Sequence, residues 1–143
     1  MNWKKEAQEK LRRYEAMRIA TKNIPDEIAR LEIDAGSIRS ARADATPVKG
    51  GGSKREDALL NNIVRRQELA RALQQAQLWL NSTDRALSAL NNEQKQILHR
   101  IYICPQEDAI TQLCLELGLE QSSVYRKRDI ALRRFTIAYY GAE

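Results

Sequence analysis

Two helical patterns meet at a single glycine near the end of this 143-residue chain. The stretch Ile110–Phe135 reads ITQLCLELGLEQSSVYRKRDIALRRF, with apolar residues at helical spacing on both sides of Gly118. Two closely crossing helices need a small residue midway along the first, here Cys114, and a turn residue that accepts positive φ, here Gly118. The stretch therefore predicts a helix-turn-helix.

The same spacing gives the two helices an inner and an outer face. The inner positions are apolar: Leu113, Leu117, Leu119, Val124, Ala131 and Phe135, with Ile130 and Leu132 beside them. Four outer residues occupy the first turn and a half of the second helix, the part that enters a DNA major groove. They are Gln121, Ser122, Tyr125 and Arg126. Because Gln matches adenine and Arg matches guanine in hydrogen-bond geometry, we predict that these residues read bases.

Four more residues on this helix are expected to contact DNA phosphate: Ser123, Lys127, Arg133 and Arg134. Charge is segregated along the chain. Gln121–Phe135 contains five basic residues and one acid, whereas residues 104–120 contain four acids and no base. A field concentrated on one helix favours phosphate contact, so double-stranded DNA is the predicted partner. The alternative is an ordinary helical hairpin with a solvated basic face.

Composition predicts an all-α fold, because helix formers dominate and strand-like runs are absent. Cys104 and Cys114 have neither a disulfide framework nor zinc spacing, and the single histidine, His99, lies in an apolar stripe. We therefore predict no metal site, no cofactor and no catalytic residues, and so no enzyme. The chain has no signal-like segment and no run of about 20 apolar residues, which predicts a cytoplasmic protein without membrane contact.

Residues 1–81 are predicted to form a helical arm. An apolar stripe marks its first helix: Trp3, Ala7, Leu11, Tyr14, Met17 and Ile24. That helix has seven basic residues against three acids, which indicates either a solvated face or a second contact with DNA phosphate. Pro25 predicts a helix restart. A glycine run predicts a flexible loop near 44–54, without the lysine and hydroxyl spacing of a phosphate-binding loop.

Heptad-like patterns flank that loop. The first contains Ile28, Leu31, Ala35 and Ile38, and the second contains Leu59, Ile63, Arg66, Ala70, Leu73, Gln77 and Leu80. The two segments can fold back as an antiparallel hairpin or pair between chains as a coiled coil, which favours a homodimer. Asn81–Asp84 is expected to cap or kink the junction. The second domain, residues 82–143, is expected to hold three to four helices, one from Asn91 or Asn92 to about Tyr102.

The second domain also resembles a known family. Its segment LSALNNEQKQIL, from Leu87 to Leu98, is similar to the opening helix of region four of bacterial sigma factors. LGLEQSSVYRKRDIALRRF resembles that region's helix-turn-helix, with Glu120 and Cys114 where Ser and Ala are usual. The long arm and short length resemble phage-encoded late transcriptional regulators of the ArpU/RinA type. The specific resemblance covers about residues 84–140.

The resemblance implies a phage or prophage regulator of late genes that acts at the nucleoid of a bacterial host cell. RNA polymerase is then a candidate second partner. Two alternatives stay open. One is a small-terminase-like subunit that recognises phage DNA for packaging. The other is a sigma-like adaptor that binds protein without reading DNA.

Overall fold

The computed structural model describes residues 1–44 and 51–143, and all the regular structure in these ranges is helical. The helices are α1 (Trp3–Asp44), α2 (Gly51–Leu87), α3 (Asn92–Leu98), α4 (Ala109–Leu117) and α5 (Gln121–Tyr140), with a π-helical turn at His99–Ile103. The prediction of an all-α protein with a long N-terminal helix is confirmed. The predicted loop near 44–54 falls mainly on residues 45–50, outside the described residues, and residues 51–54 are helical.

The chain divides into two compact units. The larger unit combines Met1–Arg18 with Leu78–Glu143, and the hairpin unit is Ile19–Gln77. The sequence had suggested a single boundary at residues 81 and 82. The start of α1 belongs instead with the C-terminal residues, because Ala7 and Leu11 are fully buried in the same apolar cluster as Phe135.

Helix α1 continues through Pro25, so the predicted helix restart is wrong. Proline has no N–H to donate to the carbonyl four residues earlier, and its ring crowds that carbonyl. The helix tolerates this cost because Pro25 is on its exposed side, while Ile24 and Ile28 stay partly buried. Packing of the apolar face on both sides of the proline outweighs the local break signal.

Helix α2 likewise continues past the predicted cap or kink at Asn81–Asp84 and ends at Leu87. The Ser82 hydroxyl donates to the Leu78 carbonyl at 3.0 Å, and the Thr83 hydroxyl donates to the Trp79 carbonyl at 2.9 Å. Both hydroxyls bond back to the preceding turn, which lets a polar residue remain inside a helix. The predicted cap is therefore an internal turn of α2 in which Thr83 is fully buried and Asn81 and Asp84 are exposed.

In the hairpin unit, α1 and α2 pack as an antiparallel pair within one chain. The amide of Asn62 donates to the Leu31 carbonyl at 2.8 Å, and Arg65 lies 3.9 Å from Glu27, so residue numbers rise on one helix as they fall on the other. The α1 seam is the predicted one, with Leu31 and Ala35 buried and Ile28 and Ile38 partly buried.

The α2 seam differs from the prediction by one position in every heptad. The buried or partly buried residues are Leu59, Asn62, Arg66, Leu69, Leu73 and Ala76, with Ile63 partly buried beside them. Ala70 and Gln77, which were predicted for the seam, are exposed. The displaced positions contain Asn62, a polar residue that fits the interface because it donates to α1 and accepts from Arg66 Nε at 2.8 Å.

The core of the larger unit joins both ends of the chain. Its main cluster contains Ala7, Leu11, Ala86, Leu90, Leu98, Tyr102, Ile103, Ala131, Leu132 and Phe135. Tyr14 packs against it and donates its hydroxyl to Asp84 Oδ1 at 2.5 Å. Burial, assisted by Asp84, raises the pKa of Tyr14 to about 12. The hydroxyl therefore keeps its proton and holds the start of α1 against the end of α2.

Helix α3 begins where the sequence predicted. Asn91 accepts from the Gln94 N–H at 2.8 Å, and the Gln94 side chain accepts from the Asn91 N–H at 3.1 Å, which is a capping box. The helix continues through the π-helical turn and stops at Cys104, the residue before Pro105, as expected. Both α3 and α4 pack against α5. No helix within residues 1–44 and 51–143 is long and apolar enough to span a bilayer.

Candidate nucleic-acid interface

The turn between α4 and α5 depends on Gly118. Its backbone has φ 65° and ψ 35°, the left-handed conformation that the sequence predicts at this position. The N–H groups of Gly118 and Leu119 both reach the Cys114 carbonyl, the latter at 3.1 Å. These bonds satisfy the end of α4 and let α5 begin at Gln121, only three residues after the glycine.

A small apolar cluster fixes the angle between α4 and α5. Ile97, Leu113 and Val124 are fully buried in it, one each from α3, α4 and α5. The predicted inner residues Cys114, Leu117 and Leu119 are partly buried around them. Further along α5, Ala131, Leu132 and Phe135 are fully buried, as expected. Ile130 is 52% exposed, so its predicted packing is wrong: it lies about 120° round α5 from the buried Val124.

The four residues predicted to read bases are all exposed on the first two turns of α5. Gln121 Nε2 lies 3.4 Å from the Tyr125 hydroxyl, and the Arg128 guanidinium lies 4.9 Å from the centre of the Tyr125 ring. Arg126 forms no ion pair with any residue that the structure describes. Helical geometry puts Ser122 and Arg126 on one outward line and places Gln121 and Tyr125 on a second line at their side.

The four residues predicted to contact phosphate differ in their surroundings. Lys127 Nζ lies 2.6 Å from Glu93 Oε1, which ties α5 to α3. Arg133 donates to Glu143 Oε1 at 2.7 Å. Arg134 is exposed and has no ion pair within the described ranges, while Ser123 is partly buried at the start of the helix. Only Arg134 therefore presents an uncompensated charge, and Lys127 and Arg133 would have to exchange a carboxylate for a phosphate.

The start of α5 carries a residue that does not cap it. Glu120 has the extended backbone of an N-cap, but its side chain accepts no hydrogen bond from the first turn. A Ser or Asp at this place would satisfy one of the free N–H groups. Those N–H groups therefore stay available to an anion, although the exposed Glu120 carboxylate repels one.

One acid of the segment 104–120, Glu116, has a structural role. Glu116 Oε2 on α4 forms an ion pair with Arg100 Nη1 in the π-helical turn at 2.7 Å, and it accepts a hydrogen bond from Gln96 Nε2 on α3 at 3.2 Å. These contacts hold α4 to α3 through charge, which gives a reason for an acid on α4 that is independent of DNA. Glu107, Asp108 and Glu120 remain exposed.

One basic residue near α5 was not assigned from sequence. Lys4, in the first turns of α1, lies 3.9 Å from Asp129 Oδ1 on the outer side of α5. Lys4 therefore lines a recess of about 420 Å³ together with Arg126 and Arg133. The basic excess of the N-terminal helix was a visible signal. No local pattern distinguishes Lys4 from the other six cations of that helix, because Lys4 and Asp129 are far apart in the sequence.

Within the described residues, no group of three or more histidine, cysteine or acidic side chains is placed to hold a metal ion. The single histidine, His99, is exposed in the π-helical turn. It lines an open cavity of about 580 Å³ with the basic residues Lys95 and Arg100 and with the apolar Leu87 and Ile103.

Comparison with protein-family models, with curated proteins and with solved structures found no match for this chain.

Proposed function

We propose that this chain is a sequence-specific DNA-binding transcriptional regulator, encoded by a phage or prophage and acting on late genes. In this proposal α4 and α5 form a helix-turn-helix, and α5 lies in the major groove. The chain works by binding and not by catalysis. Its second expected partner is RNA polymerase, and its site of action is the nucleoid of the bacterial host.

One observation carries this proposal. The first two turns of α5 expose side chains able to read bases, on a helix whose angle is fixed by a buried cluster behind it. Among these, Arg126 is exposed and forms no ion pair in the described part of the chain, so its guanidinium is available for two hydrogen bonds to guanine. A rigid element that presents exposed, unpaired donors is what direct readout requires.

The proposal predicts different effects for two arginines on the same helix. Arg126→Ala should lower affinity by about 1–3 kcal/mol for the parent's preferred duplex and relax the preference at one base pair. Arg134→Ala should weaken binding to all duplexes by a similar factor and make the salt dependence shallower by about 0.9 in log–log slope. Fluorescence anisotropy at several salt concentrations, with matched and mismatched duplexes, measures both.

Ile137→Ala serves as the control, because Ile137 is 44% exposed on the same helix, does not line the recess with Arg126 and Arg133, and carries no charge or hydrogen-bonding group. It should bind like the parent. If Arg126→Ala and Arg134→Ala both bind like this control, α5 is not the DNA-reading helix.

The protein-binding adaptor is kept as a second candidate because of Leu115. This residue is 80% exposed on α4, next to Glu116 and away from the buried cluster. Burial of this exposed apolar side chain against another protein would be favourable. The adaptor predicts no preference among DNA sequences, whereas the regulator predicts one.

The proposal also keeps the homodimer through the N-terminal helices as a prediction. Because the seam residues of α1 and α2 already pack against each other within one chain, a dimer would have to use the outward faces of these helices. Those faces expose Ile33 on α1 and Leu60 and Val64 on α2.

A further inference from the structure

The recess between the start of α1 and the outer side of α5 concentrates positive charge from two distant parts of the chain. Lys4, Arg126 and Arg133 line it, with Ile130 and Thr136 as its uncharged lining. Asp129 also lines the recess, but Arg128 Nη2 lies 3.0 Å from it and Lys4 lies 3.9 Å from it. With Arg128 compensating Asp129, the charges left in the lining are Lys4, Arg126 and Arg133 against Glu143.

We infer that this recess receives a phosphate of the DNA backbone, so that the start of α1 is a second DNA-gripping element beside α5. This inference rests on the proposed function. A phosphate seated there would accept from Lys4 and Arg133 while Arg126 reaches the adjacent bases.

Glu143 now occupies the position that the phosphate would take. It forms an ion pair with Arg133 at the edge of the recess. A carboxylate and a phosphate compete for the same guanidinium, and the phosphate offers more acceptor oxygens and a position between Lys4 and Arg133. DNA binding should therefore transfer Arg133 from Glu143 to the backbone, and Glu143 should act as a competitor that lowers affinity.

The chain supplies a matched control for Lys4. Lys5 carries the same charge one residue later, is exposed, and does not line the recess. On a helix it lies about 100° further round, away from the face that packs on α5. A general effect of net charge would change binding equally in Lys4→Ala and Lys5→Ala.

The test is a salt titration of binding to a short fluorescent duplex of mixed sequence, with the parent chain and three variants. Lys4→Ala should make the log–log salt slope shallower by about 0.9 and lower affinity roughly eightfold at 0.1 M salt, as loss of one phosphate contact requires. Lys5→Ala should leave the slope unchanged. Glu143→Gln should raise affinity by about two- to fivefold, as expected for removal of one exposed ion pair that competes with DNA.

Each result bears on one claim. If the parent fails to bind the duplex at low salt, the proposed function is wrong. If the parent binds and Lys4→Ala has the same slope as Lys5→Ala, or if Glu143→Gln binds more weakly, the phosphate site in the recess is wrong while α5 can still be the reading helix. Tryptophan fluorescence checks that each variant is folded, because Trp3 lies next to the substituted lysines.

Discussion

At the scale of single residues, two glycines in helical regions should respond in opposite directions to the same substitution. Gly118 has φ 65°, whereas Gly36 lies inside α1, and a Cβ at either position meets nothing within 4 Å. Steric contact with neighbouring atoms therefore does not affect either substitution. The backbone conformation at each glycine alone determines the change in stability.

Gly118→Ala should destabilise the larger unit by about 1–2 kcal/mol, because an L-residue is strained in the left-handed region. Gly36→Ala should stabilise the hairpin unit by about 0.5–1 kcal/mol, because alanine loses less entropy in a helix. Urea unfolding followed by far-ultraviolet circular dichroism measures both. Destabilisation of equal size in the two variants would contradict the role of Gly118 in the turn.

The sequence identified the residues of the turn well because their signals are local. The left-handed turn at Gly118, the buried Val124 and Phe135 and the exposed Arg126 all follow from helical spacing around one glycine. Ion pairing was not predictable in the same way. Lys127 and Arg133 have acidic partners on other segments, Glu93 and Glu143, and no periodic pattern relates these residues to α5.

At the scale of helices, the start of α1 is a structural part of the larger unit. Leu11 is fully buried in its main cluster, whereas Leu78, also in the larger unit, is 62% exposed on α2. Leu11→Ala should therefore destabilise the larger unit by about 2–5 kcal/mol through lost burial and a cavity. Leu78→Ala should change its stability by no more than about 0.5 kcal/mol.

Tryptophan fluorescence during urea unfolding is the appropriate measurement, because both tryptophans, Trp3 and Trp79, belong to the larger unit. A Leu11→Ala variant that unfolds like the parent would mean that α1 does not contribute to that core.

Helix boundaries were the least predictable feature at this scale, because tertiary packing overrides local break signals. Pro25 and the Ser82-Thr83 pair are local signals for a break, yet both lie within continuous helices whose apolar faces stay packed. At one of the displaced positions of the α2 seam, hydrophobicity favours Ile63, whereas the structure buries Asn62 and uses its hydrogen bonds.

At the scale of the whole molecule, the ends of the chain meet in one core. The all-α class and the long N-terminal helix could be predicted from composition and periodicity. The packing of residues 1–18 on α5 could not, since contacts across such a sequence separation depend on which apolar faces fit together and not on any local pattern. This explains why Lys4 was not assigned to the candidate interface, although the basic excess of its helix was apparent.

The packing of the two chain ends in one core also places the start of α1 beside the proposed reading helix. The buried Ala7 and Leu11 hold the start of α1 beside α5. If α5 reads bases, Lys4 therefore lies on the DNA-facing surface as part of the same compact unit. Stability of the larger unit and affinity for DNA are then linked, since loosening α1 would remove a cation from the interface.

The most direct test of the central claim is a selection of double-stranded DNA from a fully random pool by the whole chain, with Arg126→Ala selected in parallel. The account predicts that the parent enriches a short motif containing at least one guanine, and that Arg126→Ala loses preference at that guanine while keeping the flanking preferences. Enrichment of no motif by the parent, although it is folded by circular dichroism, would contradict the claim that this protein reads DNA sequence.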